Sequence, residues 1–455
     1  MSAEEAVFAT LDEVVRHELE RWKVPGMTVG IYRDGEVETY AWGVESLETG
    51  FPVRPDTLFQ IGSISKVFCT TLVMKLVDEG KLALDTPVSE YISDLELADP
   101  SAHDSITVRH TLNHSSGLWG DYFTDQGLGD DALGKSLPGF AALTQRHAPG
   151  ELWTYCNSGF DLAGIAIERV LGTTFEAAMR EKVFAPLGLE RSFFFAHEAI
   201  CYPAAVGHVQ VEPKSDELEI SRMYQLPRMV NPAGGIISTV GDLLKFAAFH
   251  MGDGTAAGQP VLTAQSLAEM QRPQIAAAGW ADEWGLGWHI IHADGGTVIG
   301  HGGSTIGFQA LLSVVPEKKF AIACLTNSSR GSAANYPITR WALQHYAGVS
   351  LTTPAPVTLR DDELAIYAGM YSNEWGDAEI TVEDGGLNIV LTDRSPFTPE
   401  PKVMPTERML PVGNHTFTLV GDEFFGMQVD FVWYRNDGDP HPRFLRMGRL
   451  YDRVG

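Results

Sequence analysis

The stretch that most constrains this chain is Phe59-Gln60-Ile61-Gly62-Ser63-Ile64-Ser65-Lys66-Val67-Phe68. A glycine precedes a serine, a lysine follows three positions on, and an apolar run (Val67, Phe68, Leu72, Val73, Leu76, Val77) continues to Gly80. That pattern reads as a buried helix with a glycine stop. With Ser63 at the helix start, Lys66 falls one turn along on the same face, within reach of the hydroxyl. A hydroxyl is a poor nucleophile at neutral pH, and a lysine taken out of water as a neutral amine is one of the few side chains able to activate it. The helix N-terminus would also face any oxyanion formed on an attacked carbonyl. The plainer account is a serine capping a core helix beside an incidental lysine, because Ser-x-x-Lys arises by chance roughly once in a chain this long.

The rest of the chain sets the frame for that stretch. Its 455 residues suffice for two or more domains, and a 44% hydrophobic content without low complexity says folded and globular. A net charge of −26 argues against a nucleic-acid partner and against an anionic membrane surface. The acidic start lacks a basic, apolar leader pattern, and no apolar run reaches membrane-spanning length, so a cytoplasmic location is expected. Cys69, Cys156, Cys201 and Cys324 show neither metal nor redox spacing and read as free thiols.

Taken in order, an amphipathic helix (Val7, Leu11, Val14, Val15, Leu19, Trp22) precedes two strands, 27–33 and 36–42, across the hairpin signal Asp34-Gly35. His110 and His114 have the i, i+4 spacing of a zinc pair but lack the glutamate of H-E-x-x-H, which favours structural histidines over a metal. Residues 119–150 form a long loop-like stretch with Trp119, Tyr122 and Phe123, a candidate pocket wall. A helix opens near Asn157, and another runs from Val240 to His250. Beyond Trp284, segments 297–300, 310–315 and 320–326 read as antiparallel strands, with His301-Gly302-Gly303-Ser304 following the first. A helix at 336–346 closes this part; its sheet should take in the two N-terminal strands. After a linker-like 350–358, alternating segments predict an antiparallel β-barrel over 359–455, leaving 1–349 as the larger domain.

Tyr-x-Asn occurs three times, at Tyr155, Tyr371 and Tyr434, so only position selects a copy. Tyr155 follows Ser63 at the entry to a helix, whereas the others lie beyond the linker. Together, Ser63-Ile64-Ser65-Lys66, Tyr155-Cys156-Asn157 and His301-Gly302-Gly303 resemble the three signature motifs of serine β-lactamase-related proteins. That superfamily includes penicillin-binding proteins, class C β-lactamases, family VIII esterases and D-aminopeptidases. The flanks His114-Ser115-Ser116-Gly117-Leu118, Pro186-Leu187-Gly188-Leu189, Ala233-Gly234-Gly235 and Gly285-Leu286-Gly287 are similar too, so the likeness spans about 7–347.

The resemblance implies an α/β (α+β) β-lactamase/transpeptidase-like fold: an antiparallel sheet flanked by helices, with a helical subdomain. It also implies roles. Ser63 would form an acyl-enzyme, Lys66 and Tyr155 would share proton transfer, and Asn157 would hold a substrate amide. Backbone N–H groups of Ser63 and Ser304, beside Gly302 and Gly303, would make the oxyanion hole. His301 stands where many relatives carry lysine, replacing a fixed charge by a mostly neutral imidazole. This leans toward aminopeptidase-like or amidase-like members, D-stereospecific ones included, and Tyr367-Ala368-Gly369-Met370-Tyr371 looks similar to the opening of their lipocalin-like module.

The expected activity is hydrolysis of amide bonds in small peptides or related amides, without a cofactor or metal, with self-association compatible. An esterase or acyltransferase with weak β-lactamase activity, and a non-catalytic penicillin-binding-type sensor, are the competing readings. Trp119, Tyr122 and Trp284 are the pocket candidates. The proline-rich segment 394–405 is expected to project from the barrel toward the mouth between Tyr122 and Trp284 and to limit substrate length. The plainer alternative is a surface loop on a passive stability or assembly module.

Overall fold

The computed structural model describes residues 8–213, 215–396, 400–420, 427–435 and 438–454. The first seven residues, and residues 397–399 at the centre of the proline-rich segment, lie outside the described residues. The chain divides into two compact units.

The first unit comprises 8–151, 156–275 and 284–351. Helix α1 (Leu11–Trp22) starts at a reciprocal cap: Thr10 Oγ1 accepts the Glu13 N–H, and the Glu13 carboxylate accepts the Thr10 N–H. Strands β1 (Gly26–Arg33) and β2 (Glu36–Gly43) turn through Asp34 and Gly35, both at positive φ (52° and 95°), as the Asp-Gly signal requires. Four more strands follow: β3 (His289–Ala293), β4 (Gly296–Thr305), β5 (Phe308–Val315) and β6 (Phe320–Thr326). The six strands run in the order β2-β1-β6-β5-β4-β3, all antiparallel, with Val29 opposite Cys324 and His301 opposite Leu312. The N-terminal strands thus join the C-terminal ones in one sheet.

Both faces of that sheet are covered. Leu11, Val14 and Val15 of α1 share a core with Val29, Ile31 and Ile322 of the sheet and Ile338 of the late helix α6 (Gly331–Ala342). On the other face, α5 (Val240–His250) packs so closely on Gly30 that a Cβ there would lie 2.8 Å from Leu244 Cδ1. Helix α2 (Ser65–Asp78) is buried nearly all round, as its uninterrupted apolar run demands, and Phe68 stacks on Phe246 of α5. Helix α4 (Asn157–Leu171) packs against α2, and α3 (Val108–Leu112) packs against α4.

The second unit comprises Leu152–Tyr155, Ala276–Glu283 and Thr352–Gly455. Its strands are β7 (Gly369–Asn373), β8 (Gly376–Glu383), β9 (Gly386–Asp393), β10 (Glu407–Gly413), β11 (Thr416–Leu419), β12 (Gln428–Val432), β13 (Phe444–Met447) and β14 (Arg449–Val454). They pair in the order β8-β7-β14-β13-β12-β11-β10-β9, and β8 also pairs with β9, which closes the ring. Inward residues such as Tyr371, Ile380, Leu387, Phe417 and Phe431 form one core. Closure satisfies the backbone groups that an open sheet would leave on its edges. Of the proline-rich segment, Lys402 and Val403 pair with Asp393 and Thr392. Among the described residues no helix is long and apolar enough to cross a membrane.

Candidate active site

Ser63 sits in a 3-10 turn, Gly62–Ile64, that runs directly into α2. The turn needs Gly62, whose φ is +50° and whose missing side chain lets the backbone of Ser304 approach: a Cβ would lie 2.7 Å from Ser304 N. From one turn along, Lys66 reaches back, its Nζ 3.0 Å from Ser63 Oγ. The amine also donates to the carbonyl of Ala233 at 2.5 Å and lies 5.5 Å from the centre of the Phe160 ring. Ser63 is half-buried while Lys66 is fully buried, so the hydroxyl meets solvent and the amine does not. Desolvation of the amine is what the chemistry of a Ser-x-x-Lys nucleophile calls for.

The third motif lies within β4, which continues to Thr305 instead of ending at Gly300. Gly303 is there because backbone passes backbone: a Cβ on it would stand 1.9 Å from Ile61 O and 3.2 Å from Ser63 N. The same contact brings the N–H groups around Ser63 and Ser304 together. His301 is buried, its Nδ1 2.5 Å from Gly302 O and its ring edge-on to Trp284 at 5.6 Å. Burial pushes its pKa well below the ordinary imidazole value, and the charge of Lys66 pushes the same way, so the ring is neutral at pH 7. Neighbouring His289 is held down to about 4 by burial.

Asn157 opens α4 and donates its amide to Asp121 Oδ1 at 2.7 Å. Asp121 was not legible as a site residue, because only the fold brings its loop to the helix start. A further carboxyl one turn on, Asp161, is fully buried, and among the described residues neither of its oxygens meets a hydrogen-bond donor. Burial holds its pKa well above the usual carboxylate range against the pull of Lys66. The Ala233 carbonyl could have been suspected from the Ala-Gly-Gly flank. A buried Arg228–Glu176 pair with Asn231 beside it, which holds the segment before Ala233, left no signal in the sequence.

The pocket candidates divide. Trp119 and Trp284 are nearly fully buried, Trp119 donating Nε1–H to Asp121 O and Trp284 packed edge-on against His114. Tyr122 is half-buried, with its hydroxyl donating to Ser136 O at 3.1 Å. His110 and His114 serve separate backbone groups: His110 Nδ1 accepts from Thr107 N–H, and His114 Nδ1 accepts from Cys156 N–H. The four cysteines are free, Cys201 alone being exposed.

Tyr155 falls in the second unit, as the last residue of Leu152–Tyr155. Its N–H donates to Gly448 O at 2.8 Å, and the Arg449 guanidinium carbon lies 4.6 Å from the centre of its ring.

Comparison with known proteins places the chain in a family. The family model described as Beta-lactamase matches residues 11–346. Penicillin-binding protein 4 of Amycolatopsis lactamdurans is 35% identical over 361 residues, covering 78% of this chain and 94% of that protein. The D-aminopeptidase of Brucella anthropi is 27% identical, covering 71% of this chain and 60% of its own. Among solved structures, that of SurE with D-Leu superposes with a TM-score of 0.76 at 25% identity, covering 98% of both chains.

Proposed function

The chain belongs to the Beta-lactamase family, and on that premise we propose that this serine hydrolase is an amidase of short peptides or amino-acid amides, selective for D-configured residues. The observation that carries this is the pairing of a Lys-activated Ser63 with a neutral His301 at the third motif. A lysine there would hold a substrate carboxylate with a fixed charge, whereas a neutral imidazole holds it weakly and tolerates an amide or a peptide continuation. The D-aminopeptidase relative and the D-Leu bound by SurE support the stereochemical part.

Ser63 Oγ attacks the carbonyl carbon as its proton passes to the Lys66 amine or to a Tyr155 phenolate. The tetrahedral oxyanion is met by the N–H groups of Ser63 and Ser304. The leaving amine departs with a proton from the same relay, leaving the Ser63 ester. Water then attacks that ester and gives a proton to the relay, which returns it to Ser63 Oγ as the acyl–oxygen bond breaks and the acid is released. Asn157 orients the substrate amide.

A paired panel of p-nitroanilides and p-nitrophenyl esters, in D and L forms, tests the reading. D-anilides should be turned over at least about tenfold faster than their L counterparts, a difference of ~1.4 kcal/mol in transition-state binding. Turnover confined to esters, or penicillin hydrolysis as fast as the best amide, overturns it.

A further inference from the structure

Tyr155 is the one candidate catalytic side chain that belongs to the second unit, and what holds it there has chemical consequences. The hairpin β13–β14 turns tightly at Gly448, with Met447 opposite Arg449. Its carbonyl at Gly448 accepts the Tyr155 N–H, and Arg446 of β13 donates Nη1–H to Trp153 O at 3.0 Å. Arg446 is itself fixed by two bonds, of 2.8 and 2.7 Å, to the carboxylate of Asp430 on β12. Leu152–Tyr155 is thus pinned to the hairpin at two backbone positions. The ring is held as well. Trp280 lies 5.3 Å from it, and the Arg449 guanidinium carbon is 4.6 Å from its centre. Trp280 is wedged against Gly448, where a Cβ would come within 2.7 Å of the indole.

A guanidinium over an aromatic face is attracted to the ring, and more strongly once the ring bears negative charge. We infer that Arg449 is a positioning residue for Tyr155: it fixes the ring and biases its hydroxyl toward phenolate, the form able to take the Ser63 proton as the Oγ–C bond forms. The barrel hairpin is then the support of Tyr155. This rests on the role given to Tyr155 above. The charged groups of this unit on the segments around Tyr155 are Arg449, Asp452 and Arg453 of β14, Arg446 of β13 with its partner Asp430, and Asp282 and Glu283 of the 276–283 segment. Of these, Arg449 has its guanidinium over the ring.

The test uses the full chain, the variants R449M, R449Q, R449K and Y155F, and each Arg449 variant combined with Y155F. Acylation of Ser63 by a fluorophosphonate is followed against pH, and the tyrosinate absorbance of each protein is titrated against that of its Tyr155→Phe counterpart. Loss of the cation should move both the acid limb of acylation and the Tyr155 absorbance step to higher pH by about one unit, with R449K restoring most of the shift. R449Q, planar and uncharged, carries the same expectation should R449M fold poorly. A Y155F that acylates like the parent removes the role of Tyr155 itself. A crippled Y155F beside R449M and R449Q profiles that stay in place overturns the inference while leaving Tyr155 its role. A purely structural Arg449 would lower rates at every pH without moving the limb.

Discussion

Ser63 and Tyr155 are held in place by different means. Around Ser63, backbone lies on backbone: the Gly62 turn abuts Ser304, Gly303 passes Ile61, and Lys66 is tied to the Ala233 carbonyl. Nothing there can shift without moving a strand or a helix. Tyr155 is held by a backbone hydrogen bond to Gly448 and by side-chain packing, Trp280 and Arg449 among its neighbours. The nucleophile's geometry is therefore built into the sheet and helices of its unit. The ring of the candidate base depends on surface chemistry at a hairpin. Attack on a carbonyl requires alignment to fractions of an ångström, which backbone-on-backbone packing around Ser63 supplies.

The largest expected effect breaks the comparison at its rigid end. Ser63→Ala should abolish turnover of every substrate and all fluorophosphonate labelling, with the thermal unfolding transition unchanged because only a hydroxyl is lost. Mass spectrometry of the labelled protein checks this; residual labelling at another residue would remove Ser63 from the chemistry.

A pair of glycine substitutions comes next. Gly303→Ala places a Cβ 1.9 Å from a backbone oxygen, so acylation should fall by roughly 100-fold or more as the oxyanion donors are pried apart. Gly448→Ala meets the far side of an indole instead, and its positive φ of 69° adds strain of about 1 kcal/mol. Its acylation rate should drop only a few-fold. Equal losses in stopped-flow acylation would mean that both ends are equally rigid.

The smallest effect concerns stability in the first unit alone. Burial raises the pKa of Glu168 to about 7, partly offset by the Phe175 N–H it accepts. The folded state therefore binds the proton more tightly than the unfolded chain, and this contribution, full below about 4.5, is lost as pH rises toward 7. Glu168→Gln cannot ionise, so its stability relative to the parent should improve by about 1–2 kcal/mol between about pH 5 and pH 8 in urea unfolding. A constant difference across that range would show that Glu168 is not desolvated.

The sequence makes some of this legible and hides the rest for identifiable reasons. Ser63 and Lys66 are three residues apart where a turn runs into a helix, and the Asp34-Gly35 hairpin and the Val240–His250 helix announce themselves through local rules. His301-Gly302-Gly303 reads locally as the end of a strand. Only the approach of Ile61, more than two hundred residues earlier, explains why the strand should carry a glycine at 303. Asp121 shares that difficulty, since its partner Asn157 is distant in sequence. Tyr155 is the extreme case. Its motif is visible, but its anchor is a glycine carbonyl in the last hairpin of the barrel, where nothing in the alternating pattern marks one turn above another.

The ring of strands has a consequence for how such a molecule can change. With β8 paired to both β7 and β9, the wall has no seam at which lengthening or mutating a hairpin tip would start to unzip it. Tips are thus cheap places for natural variation to accumulate, and one of them presents Gly448 and Arg449 to Tyr155. Descendants of this chain could drift in working pH and tempo by editing a few codons at that tip, leaving the nucleophile's surroundings as inherited.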